Sequence, residues 1–158
     1  MIRKKILLLG DFAVGKTSLI RRYIDNTFDD KYLTTIGVKI SKKSLQVHGE
    51  ELELLIWDIE GATKFKQIPN TYYQGASGAI IVCDVSREET IAGLQSHIET
   101  FVKINPAASY VIAYNKADIL TAKQKASLTF GNEGYFTSAK EDLNVQKLFT
   151  TLAKEIIQ

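Results

Sequence analysis

Apolar residues along the chain follow two spacings that take turns. Ile6-Leu7-Leu8-Leu9, the stretch Gly78 to Val85 and Tyr110 to Tyr114 are short continuous apolar runs, the pattern of strands covered on both faces. Ser18 to Ile24 repeats its apolar positions at helical spacing. So do the sets Ile91, Leu94, Ile98, Phe101, Val102 and Val145, Leu148, Phe149, Leu152, Ile156. Val38 to Val47 and Leu52 to Trp57 flank His48-Gly49-Glu50 and predict a hairpin, its second strand apolar on both sides towards Leu55 and Trp57. A polar segment containing Pro69 leads into Tyr72 to Ala76 and reads as a loop with a short helix. Thr121 to Phe130 predicts a brief helix, Tyr135-Phe136-Thr137 a last short strand, and Asn105-Pro106 the end of the preceding helix.

Strands alternating with helices demand crossover connections. The expectation is an α/β fold, a six-stranded, mostly parallel sheet with one antiparallel edge strand and helices on both faces, in a single domain spanning 1–158. Ligands of such sheets sit beyond the carboxyl ends of the strands. Gly10 to Thr17, Asp58, Asn115 to Asp118 and Ser138 to Lys140 all follow strands on that rim.

Composition narrows the classes of function. The chain is 45% hydrophobic and 24% charged, with a formal charge of +2 and scattered lysines, so nothing in its charge argues for nucleic acid. Its one cysteine, Cys83, lies in an apolar run and reads as a buried, unreactive thiol of a reducing compartment. No apolar run is long enough to span a membrane, and the N-terminus lacks the apolar core of a secretory signal. Ile2 excludes N-myristoylation, and Ile157-Gln158 offers no prenylation cysteine. A cytoplasmic protein with no membrane anchor of its own is expected. His48 reads as a turn residue. His97 lies in a helical segment without further ligands at metal spacing, and neither histidine is assigned a metal or catalytic role.

Gly10-Asp11-Phe12-Ala13-Val14-Gly15-Lys16-Thr17 fits the phosphate-loop pattern between a strand and a helix, which makes the fold a P-loop NTPase domain. The alternative is a strand-turn-helix corner with incidental glycines. In a phosphate loop, backbone N–H groups from Phe12 through Ala13, Val14, Gly15, Lys16, Thr17 and Ser18 converge on phosphate oxygens, aided by the helix N-terminus. Lys16 reaches the outer phosphates and the Thr17 hydroxyl ligates Mg²⁺. Asn115-Lys116-Ala117-Asp118 selects the base. Guanine presents N1–H and a 2-amino group to one carboxylate, whereas adenine would set a lone pair against Asp118. Asn115 braces the loop, the Lys116 stem lies along the base, and the Ala139 N–H within Ser138-Ala139-Lys140 is placed to donate to guanine O6.

Together these motifs resemble the Ras-like small GTPases and, within them, the Rab branch. The resemblance covers essentially the whole chain. Thr34-Thr35-Ile36-Gly37-Val38 is similar to the family's first switch, Leu55-Ile56-Trp57-Asp58 with Gly61 to the start of the second, and Tyr72 to Gly78 to the segment following it in Rabs. The resemblance implies that Thr35 binds Mg²⁺ and the γ-phosphate only in the GTP state, that Asp58 holds Mg²⁺ through water, and that Gly61 donates its N–H to the γ-phosphate. It further implies that Phe28 packs across the base and that Tyr32 covers the phosphates. Lys16, Thr35 and Gly61 are thus the residues expected to act in hydrolysis. Effectors, an exchange factor and a GTPase-activating protein are expected to bind loops 27–37 and 59–75.

Departures from the family fall on hydrolysis. Ala62 stands where a glutamine usually orients the attacking water, and Phe12 where a small residue leaves room for a partner's arginine finger. Ala13 replaces a usual glycine, Ile59-Glu60 the common Thr-Ala, and the long prenylated tail of Rabs is not seen. The stretch between Asp118 and Ser138 is shorter than is typical. One class of Rab-activating partner supplies both arginine and glutamine in trans, which leaves assisted hydrolysis open. The expectation is a GTPase switch of trafficking type, slow unaided, with a catalytically silent GTP-bound scaffold that competes with Rabs as the alternative. A phosphate-loop kinase is disfavoured by the guanine motif.

Overall fold

The structure is a computed structural model and describes residues 1–26, 38–59, 68–127 and 134–157. Among these residues, β1 (Ile2–Gly10), β2 (Val38–Val47), β3 (Glu50–Ile59), β4 (Gly78–Asp84), β5 (Ser109–Asn115) and β6 (Tyr135–Phe136) form a six-stranded sheet in the order β2-β3-β1-β4-β5-β6. Only β2 and β3 pair antiparallel; every other neighbouring pair is parallel. The connecting helices are α1 (Lys16–Asp25), α2 (Asn70–Tyr73), α3 (Glu88–Ala92), α4 (Leu94–Ile104), α5 (Ala122–Ser127) and α6 (Val145–Ile156). The expected α/β architecture is the observed one.

Strand side chains alternate between faces, so each central run feeds two cores. Ile6 and Leu8 of β1 join Ile80 and Val82 of β4 beneath α1 and α6, while Leu7 and Leu9 join Ile81 and Cys83 beneath α4. Leu7, Leu8, Phe101, Phe149 and Leu152 are fully buried. Each such side chain contributes roughly 1.5–3 kcal/mol relative to exposure. Between α1 and α6, the Tyr23 and Phe149 rings stack with centroids 4.0 Å apart.

The apolar run marks only the carboxyl half of β1. Its amino half, Arg3-Lys4-Lys5, is polar yet still pairs with β3, because its charged groups find partners on the sheet surface. Arg3 Nε donates to Glu53 Oε1 at 3.1 Å, and Lys5 Nζ lies 3.7 Å from the centre of the Trp57 ring while donating to the Gln74 carbonyl. Burial lowers the Lys5 pKa below its ordinary value. At the hairpin tip, His48 (φ +51°) and Gly49 (φ +79°) both take the left-handed backbone that a two-residue turn of this hand requires.

One predicted helix becomes two. The spacing of Ile91, Leu94, Ile98, Phe101 and Val102 reads as a single helix, but the chain breaks at Gly93 into α3 and α4. No described helix is long and apolar enough to cross a membrane.

Cys83 is fully buried in β4, and burial, reinforced by the negative charges of Asp84 and Asp11, pushes its thiol up to about 12. The nucleophile is the thiolate, so the folded chain should leave its cysteine unmodified by a disulfide reagent over the time in which the urea-unfolded chain reacts fully. Rapid labelling of the native protein would show that β4 opens.

Candidate functional site

β1 delivers the chain to Gly10 and α1 takes it up at Lys16, so the intervening loop lies at the carboxyl rim of the sheet. Glycine is required at both of its ends. A Cβ on Gly10 would stand 2.3 Å from the Val82 carbonyl oxygen of neighbouring β4, and one on Gly15 (φ +102°) 2.3 Å from Asn115 Nδ2. Ala13 carries a Cβ at φ +62°, a left-handed conformation that costs about 1–2 kcal/mol.

Side chains from elsewhere in the fold hold the loop. Lys16 Nζ donates to the carbonyls of Gly10 (3.2 Å) and Asp11 (3.3 Å), Lys116 Nζ to Ala13 (3.1 Å) and Asn115 Nδ2 to Val14 (2.9 Å). In a trans peptide the N–H points opposite to the carbonyl, so the Ala13 and Val14 carbonyls, drawn towards Lys116 and Asn115, leave the N–H groups of Val14 and Gly15 pointing the other way. That is the arrangement an anion needs. Asn115 is itself fixed by Thr137 Oγ1, which donates to its Oδ1 at 3.0 Å in the buried interior.

Thr17, in the first turn of α1, and Asp58, near the end of β3, meet at the same rim. Thr17 Oγ1 donates to Asp58 Oδ2 at 2.5 Å, and the Asp58 carboxylate is buried. A hydroxyl and a carboxylate brought together are hard oxygen donors that suit Mg²⁺, which takes its remaining ligands from phosphates and water. Thr35, the third expected ligand, lies outside the described residues, as do Phe28, Tyr32, Gly61 and Ala62. Ser18 lies in the first turn of α1, and Phe12 projects from the loop tip with 42% of its surface exposed.

Across the same rim, Lys116 (φ +63°) turns the chain out of β5 into a 3₁₀ turn, Ala117–Ile119, that presents Asp118. Ser138 Oγ donates to Asp118 Oδ1 at 2.8 Å and accepts from the Glu141 N–H at 3.0 Å, so the Ser138-Ala139-Lys140 loop orients the carboxylate. Lys116 also pairs with buried Asp84 at 3.0 Å. Burial raises the Asp84 pKa, but hydrogen bonds from Ser86 and Lys116 outweigh it, and the carboxyl titrates below its ordinary value. This pairing therefore stabilises the fold above the usual carboxylate range and is lost as pH falls through the depressed value.

The expected phosphate-loop, Asn115-to-Asp118 and Ser138-to-Lys140 residues are thus brought into one hydrogen-bonded assembly. Sequence reading missed several of its supports. Besides Thr137 and Asp84, Arg22 of α1 donates through Nε to the Ala139 carbonyl at 2.7 Å and through a terminal nitrogen to Lys140 at 3.1 Å. Only a positive charge in the last turn of α1 could have hinted at it.

The sequence model of the Ras family matches residues 5–158. The chain is similar to Ras-related protein SEC4 of Saccharomyces cerevisiae, 36% identical over 96% of this chain and 74% of that protein. It is also similar to Ras-related protein RABE1d of Arabidopsis thaliana, 35% identical over 98% of this chain and 76% of the other. With Ras-related protein Rab-13 of Mesocricetus auratus it shares 33% identity over 97% of its own length and 79% of the relative's. The Gly10-to-Thr17 and Asn115-to-Asp118 motifs and the sheet order that joins them agree with this kinship, and the chain belongs to the Ras family of small GTPases, in its Rab branch.

Proposed function

We propose that the chain is a guanine-nucleotide switch that holds GDP or GTP with Mg²⁺ at the carboxyl rim and hydrolyses GTP slowly. Loops 27–37 and 59–75 would present a GTP-dependent surface to effectors, an exchange factor and a GTPase-activating protein in a vesicle-trafficking process. It would act in the cytoplasm and meet membranes through partners. The observation that carries this reading is the direct bonding of base loop to phosphate loop. Asn115 and Lys116 donate to the Val14 and Ala13 carbonyls, so base and phosphates are gripped by one unit.

In this reading Asp118 accepts from guanine N1–H and the 2-amino group, with Ser138 holding its other bond. Lys16, anchored at Gly10 and Asp11, neutralises the outer phosphates. Thr17, Asp58 and, in the GTP form, Thr35 would hold Mg²⁺, which would supply positive charge to the phosphates. Hydrolysis adds water to the γ-phosphorus and breaks its bond to the bridging oxygen, releasing GDP and phosphate. Gly61 would steady the γ-phosphate, but Ala62 has no side-chain amide to orient the water.

Single-turnover cleavage of bound GTP should therefore run below the roughly 10⁻⁴ per second scale of an unassisted small GTPase, and Ala62→Gln should raise it. A native rate typical of relatives with glutamine would sink this account, and no response to Ala62→Gln would shift the block to Phe12. The exposed Phe12 ring supports a second reading, a silent GTP-bound scaffold that competes with Rabs, because in the family this position lies beside the path of a partner's arginine finger and a ring there would obstruct it. Chromatography of the nucleotide released from the purified protein, repeated over hours, separates the two. Conversion to GDP supports the switch, persistent GTP the scaffold, and failure to bind either nucleotide defeats both.

A further inference from the structure

Lys16, Asn115 and Lys116 hold the phosphate loop at the carbonyls of Gly10, Asp11, Ala13 and Val14. Its tip, the Asp11 side chain and the Phe12 carbonyl, is gripped from a different quarter, the segment that follows β4. Arg87 donates through a terminal nitrogen to the Phe12 carbonyl at 2.9 Å, and His97 Nε2 lies 2.7 Å from Asp11 Oδ1. An ionised carboxylate only accepts, so the proton of this second bond is on the histidine. The pair is half sheltered, with His97 15% and Asp11 32% exposed.

The break between α3 and α4 belongs to the same contact. A Cβ on Gly93 would lie 3.1 Å from Asp11 Oδ2, so the glycine makes room for the carboxylate at the start of α4, where the helix dipole favours negative charge. Arg87 is held in turn by Glu89, whose Oε1 is 3.2 Å from its Nε.

We propose that Arg87 and His97 are positioning residues for phosphate binding, a clamp from the α3–α4 segment that fixes the tip of the phosphate loop. This rests on reading that loop as the nucleotide site. The Phe12 carbonyl and the Ala13 N–H belong to one rigid peptide plane and point oppositely. By fixing the carbonyl, Arg87 aims the N–H, and it does so at the residue whose left-handed backbone makes the plane prone to turn over. Asp11, tethered to His97, fixes the preceding residue. Neither side chain is positioned by the base loop, so the clamp acts on the phosphate half of the ligand.

The full chain loaded with Mg²⁺ and GDP, or with inosine diphosphate, which lacks the 2-amino group, provides the test. In the double variant Arg87→Met, His97→Leu, GDP dissociation should quicken about tenfold and the ³¹P resonance of the bound β-phosphate should move. The ratio of inosine diphosphate to GDP dissociation rates should stay within about twofold of the native one, since base recognition is untouched. His97→Gln, which keeps an N–H donor, should recover most of what His97→Leu alone loses. Native dissociation rates and an unmoved resonance in the double variant overturn the clamp. So does a fall in base discrimination that matches the gain in rate, which marks general loosening. A native chain that retains no GDP overturns the nucleotide reading itself, and the clamp with it. Arg87 lies at the surface, so Arg87→Met alone supplies the same comparison in a folded protein.

Discussion

Replacing Asp118 by alanine is expected to abolish the preference for guanine, lowering the ratio of GDP to ADP affinity by about four decades. The size follows from what the carboxylate does. Asp118 is exposed at the rim, but guanine offers two neighbouring donors, and a site that covers the base and leaves them unmet pays for both desolvated groups, whereas adenine loses only a repulsion when the carboxylate is gone. Ser138 Oγ holds Asp118 Oδ1 at 2.8 Å and is fully buried, so the carboxylate is aimed before ligand arrives. Ser138→Ala should then act in the same direction but more weakly, by about tenfold, because it removes aim and leaves charge. Displacement of a fluorescent guanine nucleotide by GDP and by ADP measures both ratios. If Asp118→Ala still prefers GDP by the native margin, the base is read elsewhere.

The fold was legible wherever one residue's environment sufficed to define it. The runs Ile6 to Leu9 and Gly78 to Val85 announce strands buried on two faces, and α1, α4 and α6 announce one apolar face each. What escaped was set by partners distant in sequence. Arg3 to Lys5 lie outside the apolar run Ile6 to Leu9, yet they extend β1, because Glu53 and the Trp57 ring accept the charges of Arg3 and Lys5. Gly93 falls within the helical spacing of Ile91 to Val102, yet it divides α3 from α4 where the Asp11 carboxylate comes close.

The site shows the same division. Gly10 to Thr17, Asn115 to Asp118 and Ser138 to Lys140 are contiguous motifs and could be named from spacing alone. Their supports cannot, since Arg22 reaches the Ala139 carbonyl 117 residues away and His97 reaches Asp11 across 86. A histidine with no ligand spacing around it carries no sequence signal of such a contact. Its role becomes visible only when the sheet brings β1 and α4 together.

Gly15→Ala should be a severe one-methyl change, lowering GDP affinity by about two decades or more and destabilising the fold by about 2 kcal/mol. The added carbon would sit 2.3 Å from Asn115 Nδ2, closer than real Cβ contacts come, and on a backbone at φ +102° that side chains rarely adopt. Asn115 cannot step aside cheaply. It is buried, it donates to the Val14 carbonyl at 2.9 Å and it accepts from Thr137 at 3.0 Å, so moving it breaks the link between base loop and phosphate loop. Gly49→Ala is the matched control, because Gly49 has φ +79° but nothing within 4 Å of the new carbon. It should cost about 1–2 kcal/mol of stability from backbone strain alone and leave GDP affinity native. Urea unfolding and nucleotide displacement on both variants separate strain from collision. Equal stability losses with native GDP affinity in both would mean that the collision is relieved without moving Asn115, and the amide would then not be the rigid joint between the two halves of the site.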